Sequence, residues 1–160
     1  MRKVIVNSTP LIALCKAGEL LLLKRMYEEI TIPEAVYSEI ISKSDIIAKA
    51  VRENEDWIKI LSVEDKSNRK MYKAKLHDGE VEVMMLAQEI KADVVIIDDY
   101  AARKTAEYLG LPLTGTLGVL IKAKRNGFIQ KVMPIIDKLT MNGICLSEDL
   151  KQQVRNLVGE

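Results

Sequence analysis

The chain has 160 residues, 48% apolar and 29% charged, with a formal net charge of +1. That length supports one domain with a proper core and no staples, and the near-neutral charge excludes a protein that grips nucleic acid over its whole surface, so any such contact needs a local patch. With only 4% aromatic residues, a surface built on stacked rings is excluded too.

Met1-Arg2-Lys3 leads directly into a strand, Lys3 to Val6, without the apolar segment of a signal peptide or membrane span. Pro10 to Lys16 reads as a helix, with Pro10 suited to the first helical position. Glu19 to Met26 is a second helix, buried through Leu20-Leu21-Leu22-Leu23. Glu29 to Ile32 is a short strand, Pro33 opens a helix to about Ile41, and another helix runs from Ser44 to about Asn54 and continues to Trp57. Ile58 to Ser62 reads as a third strand. Val63 to Lys75 is polar and charged and is the poorest candidate for rigid structure. Asp78-Gly79-Glu80 starts an apolar helix ending near Ile90. Val94-Val95-Ile96-Ile97 is a β-branched run of the kind buried on both faces of a parallel sheet, and it stops on Asp98-Asp99. Ala101 to Leu109 is helical and closes on Gly110. Leu113-Thr114 is the last core strand, followed by helices over Thr116 to Asn126 and Gln130 to Met141 and a terminal helix from Glu148. Strands alternate with helices without repeat or linker, so the chain predicts one α/β domain over 1–160 with a mainly parallel sheet. Cys15 and Cys145 stand far apart without metal-ligand spacing, which predicts two core-filling thiols in a reducing, cytoplasmic setting.

Acidic or amide residues recur where strands end or helices begin: Asn7, Glu39, Glu80, Asp98 and Asp99. In open α/β sheets the C-terminal edge is where ligands bind, and three or four convergent oxygens suffice for a hard cation such as Mg²⁺. Singly, each has a plainer reading. Asp99 can cap the following helix, Glu80 can favour the positive end of a helix dipole, and Asn7 is a common turn residue with Ser8 and Thr9 as alternative caps. Glu39 is harder to dismiss, since it lies near the apolar stripe of Val36 and Ile40, where an unpaired carboxylate is costly. The single histidine, His77, reads as a surface residue and argues against zinc or a histidine triad. No phosphate-binding glycine loop occurs; Thr114-Gly115-Thr116-Leu117-Gly118 lacks both nucleotide fingerprints.

The segments Val4-Ile5-Val6-Asn7-Ser8-Thr9-Pro10-Leu11, Ile32-Pro33-Glu34-Ala35-Val36-Tyr37-Ser38-Glu39, Gly79-Glu80-Val81-Glu82, Ile97-Asp98-Asp99 and Gly115-Thr116-Leu117-Gly118-Val119-Leu120 together resemble a PIN domain. More narrowly they are similar to a prokaryotic branch long of unknown function, grouped with the toxin nucleases of VapBC-type toxin–antitoxin pairs. The resemblance covers residues 3 to about 157. It implies a three-layer α/β/α fold and an acid cluster holding Mg²⁺ or Mn²⁺ for hydrolysis of RNA. By position it makes Glu39, Glu80 and the Asp98-Asp99 pair catalytic and metal-binding, with Asn7 as a further ligand and Thr9 as a supporting hydroxyl. PIN nucleases usually carry Asp at the end of the first strand. Asn7 stands there instead, offering an amide oxygen without charge. The resemblance further implies a small antitoxin partner and a homodimer.

Such a site would activate a water and clamp the phosphate, with an unligated acid accepting the water proton. Two basic segments could meet the substrate: Lys66, Arg69, Lys70, Lys73 and Lys75, and the stretch with Lys122, Lys124, Arg125 and Lys131. Two readings compete with the nuclease. One is a PIN-like RNA- or protein-binding module weakened catalytically by Asn7. The other is a receiver-type phosphoacceptor switch, which would need its acid pair where Asn7-Ser8 stand.

Overall fold

A computed structural model describes residues 2–67, 69–70 and 76–160. Five strands, β1 (Val4–Val6), β2 (Ile30–Pro33), β3 (Ile58–Leu61), β4 (Val94–Ile96) and β5 (Leu113–Thr114), form one sheet in the order β3-β2-β1-β4-β5, and every pairing is parallel. Every residue of β1, β2 and β4 is buried, as strands covered by helices on both faces must be. The fold is the three-layer α/β/α arrangement expected of the chain.

The helices described are α1 (Ser8–Lys16), α2 (Leu20–Tyr27), α3 (Glu34–Lys43), α4 (Asp45–Glu53), α5 (Asp78–Glu89), α6 (Tyr100–Tyr108), α7 (Thr116–Arg125), α8 (Met133–Met141) and α9 (Glu148–Val158). Helix α5 is the most enclosed, buried continuously from Gly79 to Ala87 with Glu80 and Glu82 among its apolar residues. The Glu82 carboxylate has structural work there: it accepts the Ala35 N–H in the first turn of α3 at 3.1 Å and faces Arg69 at 3.3 Å.

Two helix starts depart from the periodicity by more than a residue. Helix α1 begins at Ser8, two residues before Pro10, because the N–H groups of a first turn have no intrahelical partner and a proline there loses nothing. Helix α8 begins at Met133, later than Gln130, because its leading N–H groups are received by the distant Glu160 carboxylate. Cys145 is exposed and Cys15 half-buried, so neither is the enclosed core thiol expected. Among the described residues no helix is long and apolar enough to cross a membrane.

From β1 the chain steps outward through β2 to β3, then returns to place β4 on the other side of β1. The crevice between β1 and β4 is therefore the topological switch point, where doubly wound sheets bind their ligands. Its register is fixed by Val6 opposite Ile96 and by the Asn7 N–H donating to the Ile96 carbonyl at 3.0 Å.

Candidate active site

Asn7 leaves β1 and serves as the N-cap of α1 with extended backbone (φ −76°, ψ 166°), yet its side chain makes no capping bond. Asparagine is among the strongest capping residues. Here its amide oxygen is instead buried without a hydrogen-bond partner, as is the hydroxyl of Ser8 beside it. A buried acceptor left unmade is costly, and among the described residues neither atom has a partner in hydrogen-bond geometry.

Among the described residues the Tyr27 hydroxyl and Arg69 Nε are also buried without a partner, and so is Oε2 of Glu39, on α3 after the neighbouring strand β2. The other oxygen, Oε1, meets Lys43 Nζ at 2.8 Å one helical turn on. Burial pushes the Glu39 carboxyl up, but the Lys43 hydrogen bond, the nearby Ser8 hydroxyl and the charges of Lys43 and His77 outweigh it, and the group is held below its ordinary value. Ser8 and Glu39 are thus near neighbours, although no well-directed hydrogen bond joins the Ser8 hydroxyl to Glu39 Oε2. Gly79 permits this approach: a Cβ there would stand 3.0 Å from Glu39 Oε2.

Glu80, next along α5, is almost wholly buried and accepts the His77 backbone N–H at 3.2 Å, with His77 Nε2 3.3 Å from the same oxygen. Burial raises its carboxyl, the His77 contacts oppose this, and the charge of Asp99 with a hydrogen bond between the two carboxyls raises it further; the net is upward. Asp99 also caps α6, accepting the Ala102 N–H at 3.0 Å. Its plain role and its place beside Glu80 are compatible because a carboxylate has two oxygens.

Asp98 faces the other way. Its Oδ1 accepts the Thr116 N–H at 2.7 Å and its Oδ2 the Thr116 hydroxyl at 2.5 Å, so it fastens the start of α7 to the end of β4. Gly115 makes room: a Cβ there would come within 2.7 Å of Asp98 Oδ1. Arg103 lies alongside, its Nη1 donating to the Ile97 carbonyl at 2.9 Å. Thr9 is exposed and lines the cleft on this Asp98 side, whereas the hydroxyl near Glu39 belongs to Ser8.

Of the expected cations, Arg69 lines the cleft beside Glu39 and His77, while those of the later stretch lie farther off. Lys122, Lys124 and Arg125 occupy the last turn of α7, at the far end of a ten-residue helix about 15 Å long. Lys124 is engaged there with the Val158 carbonyl at 2.7 Å and Glu160 at 2.9 Å. In the other basic segment Arg69 pairs with Asp78 and Glu82, while Lys73 and Lys75 lie outside the described residues. Lys43 and Arg103 join the site with nothing in the sequence to single them out, whereas Ser8, two residues past β1, was read as a helix cap and His77 as a surface residue.

Among the described residues, no three His, Cys, Asp or Glu side chains alone meet closely enough to hold a metal ion. The donors are mixed: an amide oxygen, a hydroxyl, one carboxylate oxygen without a partner, and the Glu80–Asp99 pair whose charges repel. An all-oxygen set of this kind fits a hard cation that keeps part of its water shell and takes one or two carboxylates directly. A family model described as a PIN domain matches residues 3–160. No curated protein matches the chain.

Proposed function

The chain belongs to the PIN-domain family, a family of nuclease type, and on that premise we propose that it is an RNA phosphodiesterase dependent on Mg²⁺ or Mn²⁺, the toxin-like member of a toxin–antitoxin pair. One observation carries this reading. Unpartnered buried oxygens of Asn7, Ser8 and Glu39 lie on the same sheet edge as the mutually repelling Glu80 and Asp99, an arrangement that a cation would relieve.

Asn7 and at most two of Glu39, Glu80 and Asp99 would hold the ion directly, the remaining carboxylate acting through its water shell. Bound there, it would supply Lewis acidity, lowering the pKa of a water and drawing charge from the phosphate. Where Glu80 is the acid left off the ion, its carboxylate, raised by burial, would take up a proton as general base. Lys43 limits the charge of Glu39, and His77 orients Glu80 through the backbone bond and the ring contact. Asp98 positions α7 and need not touch metal. A small antitoxin, a second copy of the chain and a reducing cytoplasmic setting belong to this proposal as the family's habit.

Purified protein should cleave RNA with Mg²⁺ or Mn²⁺ and stop in excess chelator, and Glu80→Gln should abolish the cleavage. Activity unchanged by chelator would defeat the mechanism. The neutral Asn7 favours a second reading, a PIN-like module that binds RNA or protein without cutting. Calorimetric titration separates the two, since the nuclease should take up Mn²⁺ with heat and a disabled module should not.

A further inference from the structure

Two clefts open beside the acid site, and they differ in charge. One, about 580 Å³, lies between α3 and α5 and is lined by Glu34, Glu39, Asp78 and Glu82 against Arg69 and His77. A polyanion approaching from that side meets an excess of carboxylates. The other, about 600 Å³, lies among α1, α7, α8 and the turn before α9, with walls that include Leu117, Leu139, Ile144 and Leu146. Asp98 is the sole carboxylate lining it, and both its oxygens are taken by Thr116. Arg103, Thr9 and Thr114 also line it. Arg103 spends one donor on Ile97, and a guanidinium has five. A Cβ at Gly118 would collide with the Thr114 hydroxyl, so glycine there keeps that hydroxyl where it is.

We propose that this second cleft receives the base of one unpaired nucleotide flanking the scissile phosphate, with Arg103 meeting the adjoining phosphate. The proposal rests on the nuclease reading and names its substrate class as RNA with unpaired residues. The volume is that of a small-ligand pocket, and apolar walls with hydroxyls among them match a base, which is flat and apolar on its faces and polar on its edge. A base stacked in a duplex cannot reach such a pocket, whereas one splayed from a single strand can. Among the described residues this side presents fewer carboxylates to a polyanion than the cleft between α3 and α5.

Cys145 is an exposed thiol on the cleft wall, while burial pushes the Cys15 thiol up and makes it slower to react. In a Glu80→Gln, Cys15→Ser protein, which has one carboxylate fewer to repel phosphate, a bulky maleimide on Cys145 should weaken binding of a labelled single-stranded RNA at least tenfold by anisotropy. Bound RNA should slow the alkylation, and duplex RNA should do neither. Leu146→Trp, which fills the cleft without thiol chemistry, should reproduce the loss. Unchanged affinity in both modified proteins overturns the proposal. So does a switch from dimer to monomer on alkylation, seen by sedimentation, which would assign the cleft to a second copy. Metal-dependent cleavage by the unmodified protein tells the two failures apart: if it persists, only the pocket falls, and if it is absent, the nuclease reading falls with it.

Discussion

Asn7 replaces the charge that most sharply governs what this site can hold. Asn7→Asp would bury another carboxylate beside three acids, and without metal it should cost about 1–3 kcal/mol, each kcal/mol lowering Tm by about 2–4 °C. Added Mg²⁺ or Mn²⁺ should then raise Tm by more than in the parent protein, since a ligand of the folded state stabilises by mass action; thermal shift with and without metal measures both. Glu80 gives a second test with a definite sign. Its carboxyl lies above the ordinary value of 4.5, so its protonated form favours the fold at low pH, and that stability is lost as pH rises from about 4.5 through the raised value. Metal-free Tm should fall across that window, and Glu80→Gln should remove this contribution. Of the acid residues, Glu39, Glu80 and the Asp pair were legible from their places after strands or near helix starts. The division of labour between Asp98 and Asp99 was not, because it depends on Thr116 and Glu80, which the chain brings in from other elements.

Among the elements, those with strong periodicity and local caps were readable and those finished by distant groups were not. Ser44 and Ser147 cap α4 and α9 from the adjoining residue; α9 starts at Glu148 as the sequence predicts, while α4 starts one residue after Ser44 and ends at Glu53 instead of continuing to Trp57. Helix α8 is completed by Glu160, which accepts from Val132 at 2.8 Å and Met133 at 3.0 Å while pairing with Lys124 at 2.9 Å. Burial raises the Glu160 carboxyl, but those backbone bonds and Lys124 prevail and bring it down to about 2. The sign is opposite to that of Glu80: this stability is whole above about 4.5 and is lost as pH falls toward about 2. Glu160→Gln should therefore lower Tm at pH 6 and flatten the acid limb of the Tm profile. At the other end of α7, Gly115→Ala would drive a methyl into Asp98 and Arg103; it should cost about 1–3 kcal/mol in denaturant unfolding and loosen the Asp98 contact with Thr116.

For the whole molecule, the alternation of strands and helices foretold a parallel α/β sheet, but not the strand order, which rests on pairings between remote segments. Lys3 and Asp93, ninety residues apart in sequence, are joined by a backbone-to-carboxylate bond of 2.7 Å at the start of the β1–β4 ladder. The switch point exists only once that ladder has closed. Asn7 is made early, yet it has no Glu80 or Asp99 to face until most of the chain is present, and Asp98 stays loose until Thr116 follows. Closing so long a loop is entropically slow, so the two sides of the site meet late. If the site works as proposed, such a chain would be inert while it is being synthesised, and in refolding experiments the capacity to bind Mn²⁺ should lag behind the recovery of helical circular dichroism. The order in which the strands lie would then also act as a timer, delaying activity until the fold is nearly finished.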